Sequence, residues 1–431
     1  MTTATASPPS VRTRALGLLG ANLWGIADQG LISGGNFVTM VLLARTLGGA
    51  GFGVFTLVYT ILTQAYVFQT ALVTQPHNVL GATCRGEPYV RYTTATAVWQ
   101  AAYAGLCAAL ALLAALAARL AFPAWTPLLV ALAGALLGWQ LQEFARRVLY
   151  TEGRLGAAFA SDVVRYGLQV GSLALLWRLG RLTGPVALGA LATAAAVAAA
   201  LGWWQIRGSL GRALDTDAIR RNWDFGKWLA AGGGASWLSD GAYLYLAAAL
   251  LGAHAAGLLR AAEVLFGPLR ALMAFVTTIL PIRFARARGV GGEAALRGQL
   301  KSAYRLVIPL VGIYGALMAL AARPALALVY GDEYLDGVAV LAWYAAYLLA
   351  IYAGDLVAAA LKARGHSRPL FAGQMVGLVA IPVGWLLVLA FGVEGAVLAM
   401  TLSAVLVLTA YWHAFLRHDP RRGATELEPV A

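Results

Sequence analysis

"NFVTMVLLARTLGGAGFGVFTLVY", residues 36–59, is almost wholly apolar, yet Arg45 interrupts it and Gly48, Gly49, Gly51 and Gly53 follow. Taken alone, it fits either a soluble core or a membrane hairpin, and the rest of the chain decides. Of 431 residues, 60% are hydrophobic and only 12% charged, about half the charged share of an ordinary soluble domain. A soluble protein of this length has too little interior to hide so much apolar surface, so the bilayer is the natural solvent. The stretch then predicts a hairpin. One apolar run ends at Leu47, the glycines turn the chain, and a second run starts at Phe52.

A helix crosses the hydrocarbon in about 20 residues. Twelve stretches qualify: 22–47, 52–75, 92–120, 125–148, 156–177, 184–206, 224–250, 255–281, 302–329, 337–361, 369–391 and 393–416. With the N-terminus in the cytoplasm, the alternating loops place 22 of the 32 Lys and Arg residues on the cytoplasmic side and 5 outside. That asymmetry obeys the positive-inside rule and sets both span count and orientation. It also explains the net charge of +13: the basic surplus faces anionic phospholipids of the inner leaflet, and no nucleic acid is needed. Arg45 is expected to snorkel from the outer end of the first span. Residues 1–20 show no cleavage site of a secretory signal. The two cysteines, Cys84 and Cys107, are too few for a disulfide framework or a metal site.

The chain repeats itself. A shift of 204 lays Asn36 on Asp240, Gly48 on Gly252 and Gly53 on Gly257, and a shift of 212 lays Glu143 on Asp355 and Gly153 on Gly365. Six spans return the chain to the same side, so the halves are parallel repeats about an axis along the membrane normal. The expected organisation is an all-α polytopic membrane protein. A six-helix lobe, 1–206, is followed by a cytoplasmic linker, 207–221, a second six-helix lobe, 222–416, and a disordered tail, 417–431. Two such lobes around a central cavity form a transport architecture. Gly34-Gly35 and Gly232–Gly234 are candidate hinges, although small residues also permit close helix packing.

Ionisable residues within spans are costly and mark function by default. Asp224/Lys227, Asp162/Arg165 and Arg260/Glu263 are opposite charges three apart on one helical face, where they can neutralise each other. Glu143 lies one turn from Arg146 and Arg147. Asp28, Asp240 and Arg270 have no such partner at helical spacing. The rise per residue puts Asp240 level with Arg260, and Arg270 level with Asp28, near Asp162 and Arg165. Tyr59, Gln64, Tyr66, Gln69, Gln140, Gln142, Gln169 and Gln374 add hydrogen-bonding and aromatic groups of the kind a glycan needs, though such residues also bond neighbouring helices. The candidate substrate-contacting residues are thus Arg270, Asp28, Asp162 and Arg165, with Asp240, Asn36, Gln64 and Gln374 beside them. The five histidines have no metal-ligand spacing, and the sequence holds no phosphate-binding loop. No catalytic residues, metal or cofactor are expected, and the protein is not expected to be an enzyme.

The segment "LLARTLGGAGFGVFTLVY" (42–59), with "LLGAHAAGLLRAAEVL" (250–265) and "LPIRFAR" (280–286), resembles the Wzx-like lipid-linked oligosaccharide flippases. These belong to the multidrug/oligosaccharidyl-lipid/polysaccharide exporter superfamily. The resemblance covers nearly the whole chain. It implies a bacterial inner-membrane protein with both termini in the cytoplasm. Such a protein moves undecaprenyl-pyrophosphate-linked sugar units to the outer leaflet for O-antigen or exopolysaccharide assembly. It implies an H+ or Na+ gradient as the drive, and the polymerase and glycosyltransferases of the same pathway as partners. A multidrug or cation antiporter of the same superfamily is the alternative; it would favour an acidic, aromatic cavity. A glycan polymerase or ligase would need a large outer domain, and "YGDEYLDG" (330–337) is too short to supply one.

Overall fold

The computed structural model describes residues 11–365 and 368–417, with side chains described there except at 11–23, 25–26, 239–240, 274–275 and 278. Among them there is no strand. Helix is what the bilayer demands of a spanning segment, because each backbone N–H and C=O must find a partner inside it. The helices follow the predicted spans. α1 (Val11–Gln69) carries the first two, divided at Gly48 with φ 68°. α2 (Gln75–Leu80) is a short helix after them. α3 (Glu87–Ala121), α4 (Thr126–Thr151), α5 (Leu155–Arg178), α6 (Gly184–Ile206) and α7 (Ala218–Leu251) form the third to seventh. The eighth joins α8 (Ala253–Leu265) to the start of α9 (Gly267–Leu320), which breaks at Gly291 and Gly292. The ninth is the rest of α9 with α10 (Ala322–Val329), and the tenth is α11 (Val338–Ala363). α12 (Arg368–Leu378) and α13 (Ala380–Arg417), the latter broken at Gly392, complete the eleventh and twelfth.

Among the described residues, seven helical stretches are long and apolar enough to cross a membrane, and two of them, Ala27–Thr83 and Arg368–Arg417, each hold two predicted spans. α5, α7 and α8 carry charges within their predicted spans and are not among the seven. The chain is a multi-pass membrane protein. All of the tail except Arg417 lies outside the described residues.

The repeat is written in the backbone. Left-handed glycines recur in pairs: Gly48 and Gly252 (φ 68° and 90°), Gly86 and Gly292 (62° and 64°), Gly153 and Gly365 (73° and 80°), Gly180 and Gly392 (66° and 61°). Only glycine takes this conformation without steric cost, so each pair fixes the same corner in both halves. Two of these pairs are those the sequence aligned; 86/292 and 180/392 are further ones.

The chain forms two compact units, Met1–Thr39 with Gln69–Lys227, and Met40–Phe68 with Trp228–Ala431. In the first, Gly138 of α4 lies against the backbone of Ala192 and Ala196 of α6, and Gly202 of α6 against Ala145. Small residues here let the two backbones approach closely. A cluster including Phe144, Val148, Leu149 and Ile206 closes that core. The polar segment after α6 is laced to the same unit. The Gly211 N–H donates to Thr94 Oγ1 at 2.9 Å, and Tyr92 OH to Asn222 Oδ1 at 2.6 Å.

In the second unit the opening hairpin meets its own repeat. A Cβ at Gly53 would strike the carbonyl of Ala253, and one at Gly257 would strike the carbonyl oxygen of Gly49. These are the same contact made twice with the halves exchanged, as a pseudo-two-fold axis requires. Beside it, exposed Arg45 has defined acceptors. Its Nε donates to the Val329 carbonyl at 2.6 Å and its Nη2 to that of Leu328. It thus caps the C-terminus of α10, where unsatisfied carbonyls and the helix dipole favour a cation. The Gly49 N–H donates to Glu333 Oε1 at 2.6 Å, and Tyr334 OH to the Ala44 carbonyl at 3.1 Å. α7 runs unbroken through Gly232–Gly234, and a Cβ at Gly233 would lie 2.9 Å from Val67. At least one of these glycines therefore serves close packing.

Candidate functional site

Two groups of intramembrane charge are built separately, one in each unit. In the first, α4 presents Gln142, Glu143, Arg146 and Arg147 within two turns, and α1 and α5 bring acidic partners. Arg146 Nη1 lies 3.0 Å from Asp28 Oδ2 and 3.5 Å from Asp162 Oδ2, and its Nε 3.0 Å from Glu143 Oε2. Tyr150 OH also donates to Asp28. Arg147 Nε pairs with Glu143 at 2.6 Å. The expected Asp162/Arg165 pair is replaced by a relay: Arg165 Nη1 donates to Gln142 Oε1 at 2.8 Å, and Gln142 Nε2 to Asp162 Oδ1 at 2.8 Å. The spacing of three was right for a shared face, but Arg165 turns to stack 4.1 Å from the Trp139 ring.

Three carboxylates thus meet three guanidiniums in one charge-balanced cluster. Such a cluster is costly to bury and more costly to break, because removing one partner strands the others. Gln69 belongs to helix packing: its Nε2 donates to Gln100 Oε1 at 2.9 Å and to the backbone carbonyl of Gln140 at 2.7 Å, while the buried side-chain amide of Gln140 has no hydrogen bond among the described residues. Gln169 bonds Thr39 at 2.8 Å. Asn36 is half-buried in α1.

The second unit holds open space. A cavity of about 560 Å³ is walled by Thr60, Thr63 and Gln64 of α1, Ser236 and Trp237 of α7, Arg260 and Glu263 of α8, Arg270 and Met273 of α9, and Tyr344, Tyr352 and Asp355 of α11. Glu263 is held by both arginines: Arg260 Nη1 lies 2.6 Å from Oε2, and Arg270 Nη1 contacts Oε1. The expectation that Arg270 lacks a local partner is therefore corrected. Seven residues is two helical turns, and Phe266–Gly267 breaks the helix between Glu263 and Arg270, which lets the two side chains turn towards each other. Arg260 is packed over the Tyr59 ring at 5.3 Å, whereas the Arg270 side chain remains 45% exposed, with donors left to offer a ligand. Asp28 and Arg270, placed level by sequence, each have an ion pair inside their own unit. The amide nitrogen of Gln64 is buried without a hydrogen bond among the described residues.

A second cavity, of about 820 Å³, shares Gly233, Ser236 and Asp355 with the first and adds Lys362, Arg368, Gln374 and Tyr411. Gln374 Nε2 donates to Tyr411 OH at 3.0 Å. Together the two cavities present Arg260, Arg270, Lys362 and Arg368 against Glu263 and Asp355, an excess of cations. The side chain of Asp240 lies outside the described residues. Tyr344, Tyr352, Lys362 and Arg368 were not singled out from sequence as lining residues; the recurrence of Tyr344, Tyr347, Ile351 and Asp355 at helical spacing on α11 was the available signal.

An apolar groove of about 460 Å³ adjoins the first cavity, with Met273 in the wall of both. Its walls are the two halves of α9, with Leu272, Val276, Leu280 and Phe284 facing Ala303, Leu306, Val307 and Leu310. Leu272, Leu306 and Leu310 are exposed along it. Arg283, Gln299 and Ser302 stand at one end. No metal-holding group of His, Cys, Asp or Glu occurs among the described residues.

A family model described as "Polysaccharide biosynthesis protein" matches residues 42–339. No functionally curated protein gives a significant match by sequence. Among solved structures, the lipid II flippase MurJ in an inward closed conformation superposes with a TM-score of 0.72 at 14% identity, over 93% of this chain and 89% of that one. An inward-facing multidrug resistance MATE family transporter of the MOP superfamily gives 0.71 at 14% identity, over 93% and 96%. The outward-facing conformation of a MATE family transporter of the same superfamily gives 0.64 at 13% identity, over 95% and 97%. At these identities the likeness is one of fold.

Proposed function

Because the chain belongs to the family of polysaccharide biosynthesis proteins, we propose that it carries a polyprenyl-pyrophosphate-linked oligosaccharide from the cytoplasmic to the outer leaflet of the bacterial inner membrane. The observation that carries this is the junction at Met273. A polar cavity with an exposed arginine and an apolar groove with exposed leucines stand on either side of that residue. A lipid-linked sugar has the same two-part chemistry. The pyrophosphate suits Arg270, whose planar fork matches phosphate oxygens. The tyrosines and Gln64 suit sugar hydroxyls, and the groove suits the hydrocarbon tail. The lobes 1–206 and 222–416, joined through 207–221, would alternate around the load with both termini cytoplasmic, drawing on an H+ or Na+ gradient. Pathway glycosyltransferases and the polymerase would stand on either side of the step.

One observation favours the second reading, a multidrug or cation antiporter. Asp355 lines both cavities and has no ion pair among the described residues, which would suit an organic cation. The surrounding excess of cations argues against it.

The test is Arg270→Lys and Arg270→Ala, scored for surface polysaccharide at matched membrane levels. The expected result is severe loss with Ala and partial loss with Lys. Normal export by Arg270→Ala overturns the pyrophosphate role. Asp355-dependent efflux of an organic cation, without lipid flipping, would put the antiporter in its place.

A further inference from the structure

We propose that the chain has a separate binding site for the headgroup of an acidic glycerophospholipid, formed where the second half of α9 meets the end of α13. After the left-handed corner at Gly292, Glu293, Arg297, Leu300, Lys301 and Tyr304 follow at helical spacing and so share one face. Across from them α13 presents Trp412, Phe415 and Leu416, and a cavity of about 330 Å³ lies between the two helices. The aromatic wall is rigid. The Tyr304 and Trp412 rings are 5.8 Å apart, Trp412 meets Phe415 edge-on at 5.7 Å, and Tyr304 OH donates to the Ala353 carbonyl at 2.5 Å.

Charges beside the cavity decide its sign. Arg364, at the end of α11, is almost wholly buried and lies 3.8 Å over the Phe415 ring. Its Nη1 donates to the Phe415 carbonyl at 2.7 Å, while Nε and Nη2 grip both oxygens of Glu293. Glu293, on the face that carries Arg297 and Lys301, is thus already paired with Arg364. Arg297 reaches the same carboxylate only at 3.4 Å with a half-exposed side chain, and exposed Lys301 has no ion pair among the described residues. Arg297 shares a carboxylate that Arg364 already holds, and Lys301, a turn away, has none among the described residues, so the rim of this aromatic and aliphatic slot carries an excess of positive charge.

An inorganic anion would use the cations and leave the slot unfilled. An acidic lipid uses both: phosphate between Arg297 and Lys301, the glycerol and first methylenes against Trp412, Leu300 and Leu416. Tryptophan and tyrosine at the headgroup level suit that depth. A zwitterionic headgroup would bring its own ammonium against two like charges. The site shares no residue with the transport cavity, so it stands whether or not that cavity carries a lipid-linked sugar.

The experiment is native mass spectrometry and thermal melting of the purified full chain, with phosphatidylglycerol or phosphatidylcholine added in neutral detergent. Phosphatidylglycerol should be retained in preference and should raise the melting temperature. Arg297→Gln and Lys301→Gln should each weaken that retention by about fivefold, the worth of one cation near an anionic headgroup. The double variant should abolish the preference while melting normally in detergent alone. Arg305→Gln, on the same helix but outside the cavity, should change nothing. Equal retention of the two lipids, or a preference that survives the double variant, overturns the proposal. A melting shift reproduced by millimolar inorganic phosphate overturns it too, in favour of a simple anion site.

Discussion

Adding one methyl group where the hairpin crosses its repeat should separate two neighbouring glycines by their effect on stability. Gly53→Ala gains about 1 kcal/mol of helix propensity. Against that, its Cβ would stand 2.5 Å from the Ala253 carbonyl carbon, with the oxygen closer still and the Gly257 nitrogen at 3.2 Å. Carbon atoms pack at about 3.5–4.0 Å, so the two segments must part by roughly 1 Å or more. No rotamer change relieves this, because the obstruction is backbone. Overpacking of this kind costs about 1–3 kcal/mol, and a backbone clash belongs at the upper end. The net loss is therefore about 2 kcal/mol. At Gly51 the new Cβ meets only Leu47 Cβ, at 3.2 Å on the preceding turn. There the propensity gain dominates, and Gly51→Ala should be neutral or slightly stabilising. Thermal melting in detergent should place Gly53→Ala roughly 2 °C below wild type and Gly51→Ala at or above it. Gly257→Ala should mimic Gly53→Ala, and the double variant should lose less than their sum, since both separate the same pair of segments. A Gly53→Ala protein that melts with wild type would refute the close crossing.

The shared carboxylate predicts an order of stabilities in the second unit. Glu263→Gln strands the partly buried Arg260 and should cost up to about 3 kcal/mol, whereas Arg270→Gln removes a half-exposed partner and should cost under about 1 kcal/mol. Melting curves that reverse this order would contradict the pairing. In the first unit Arg146→Met should cost at least about 3 kcal/mol, because Asp28 and Asp162 lose their common guanidinium. Adding Asp28→Asn should recover part of it, and no recovery would sever the link between them. Orientation is open to thiol labelling in a chain freed of Cys84 and Cys107. Cysteines at Gly180 and Asp332 should react with an impermeant reagent from outside, and those at Ser209 and Gly289 should not.

The span pattern was legible because apolar length is a local property. The corners were half legible: Gly48/Gly252 and Gly153/Gly365 stood out by alignment, while Gly86/Gly292 and Gly180/Gly392 emerged only with their φ angles. Pairs on one helix, Asp224/Lys227 and Arg260/Glu263, followed from spacing and are present at 2.7 and 2.6 Å. Pairs between helices did not. Asp28 and Arg146 are 118 residues apart, and nothing local in either announces the other. Arg165 shows the limit from the other side. Spacing put it on the face of Asp162, but a tryptophan on a neighbouring helix drew its guanidinium away. The role of Arg45 was hidden in the same way, since its acceptors lie more than 280 residues downstream.

The paired glycine corners also carry a record of where the two halves parted. From Gly86 to Gly153 is 67 residues, but from Gly292 to Gly365 is 73. Within the longer stretch sits Gly331, a left-handed glycine without a counterpart, opening the turn Asp332–Gly337. That turn supplies Glu333 and Tyr334, which fasten the corner of the opening hairpin. The second half is the longer here, 73 residues against 67, and the clasp on the first half's hairpin is made within that stretch. The two halves are thus alike at their corners but unequal between them, and the longer one holds the opening hairpin in place.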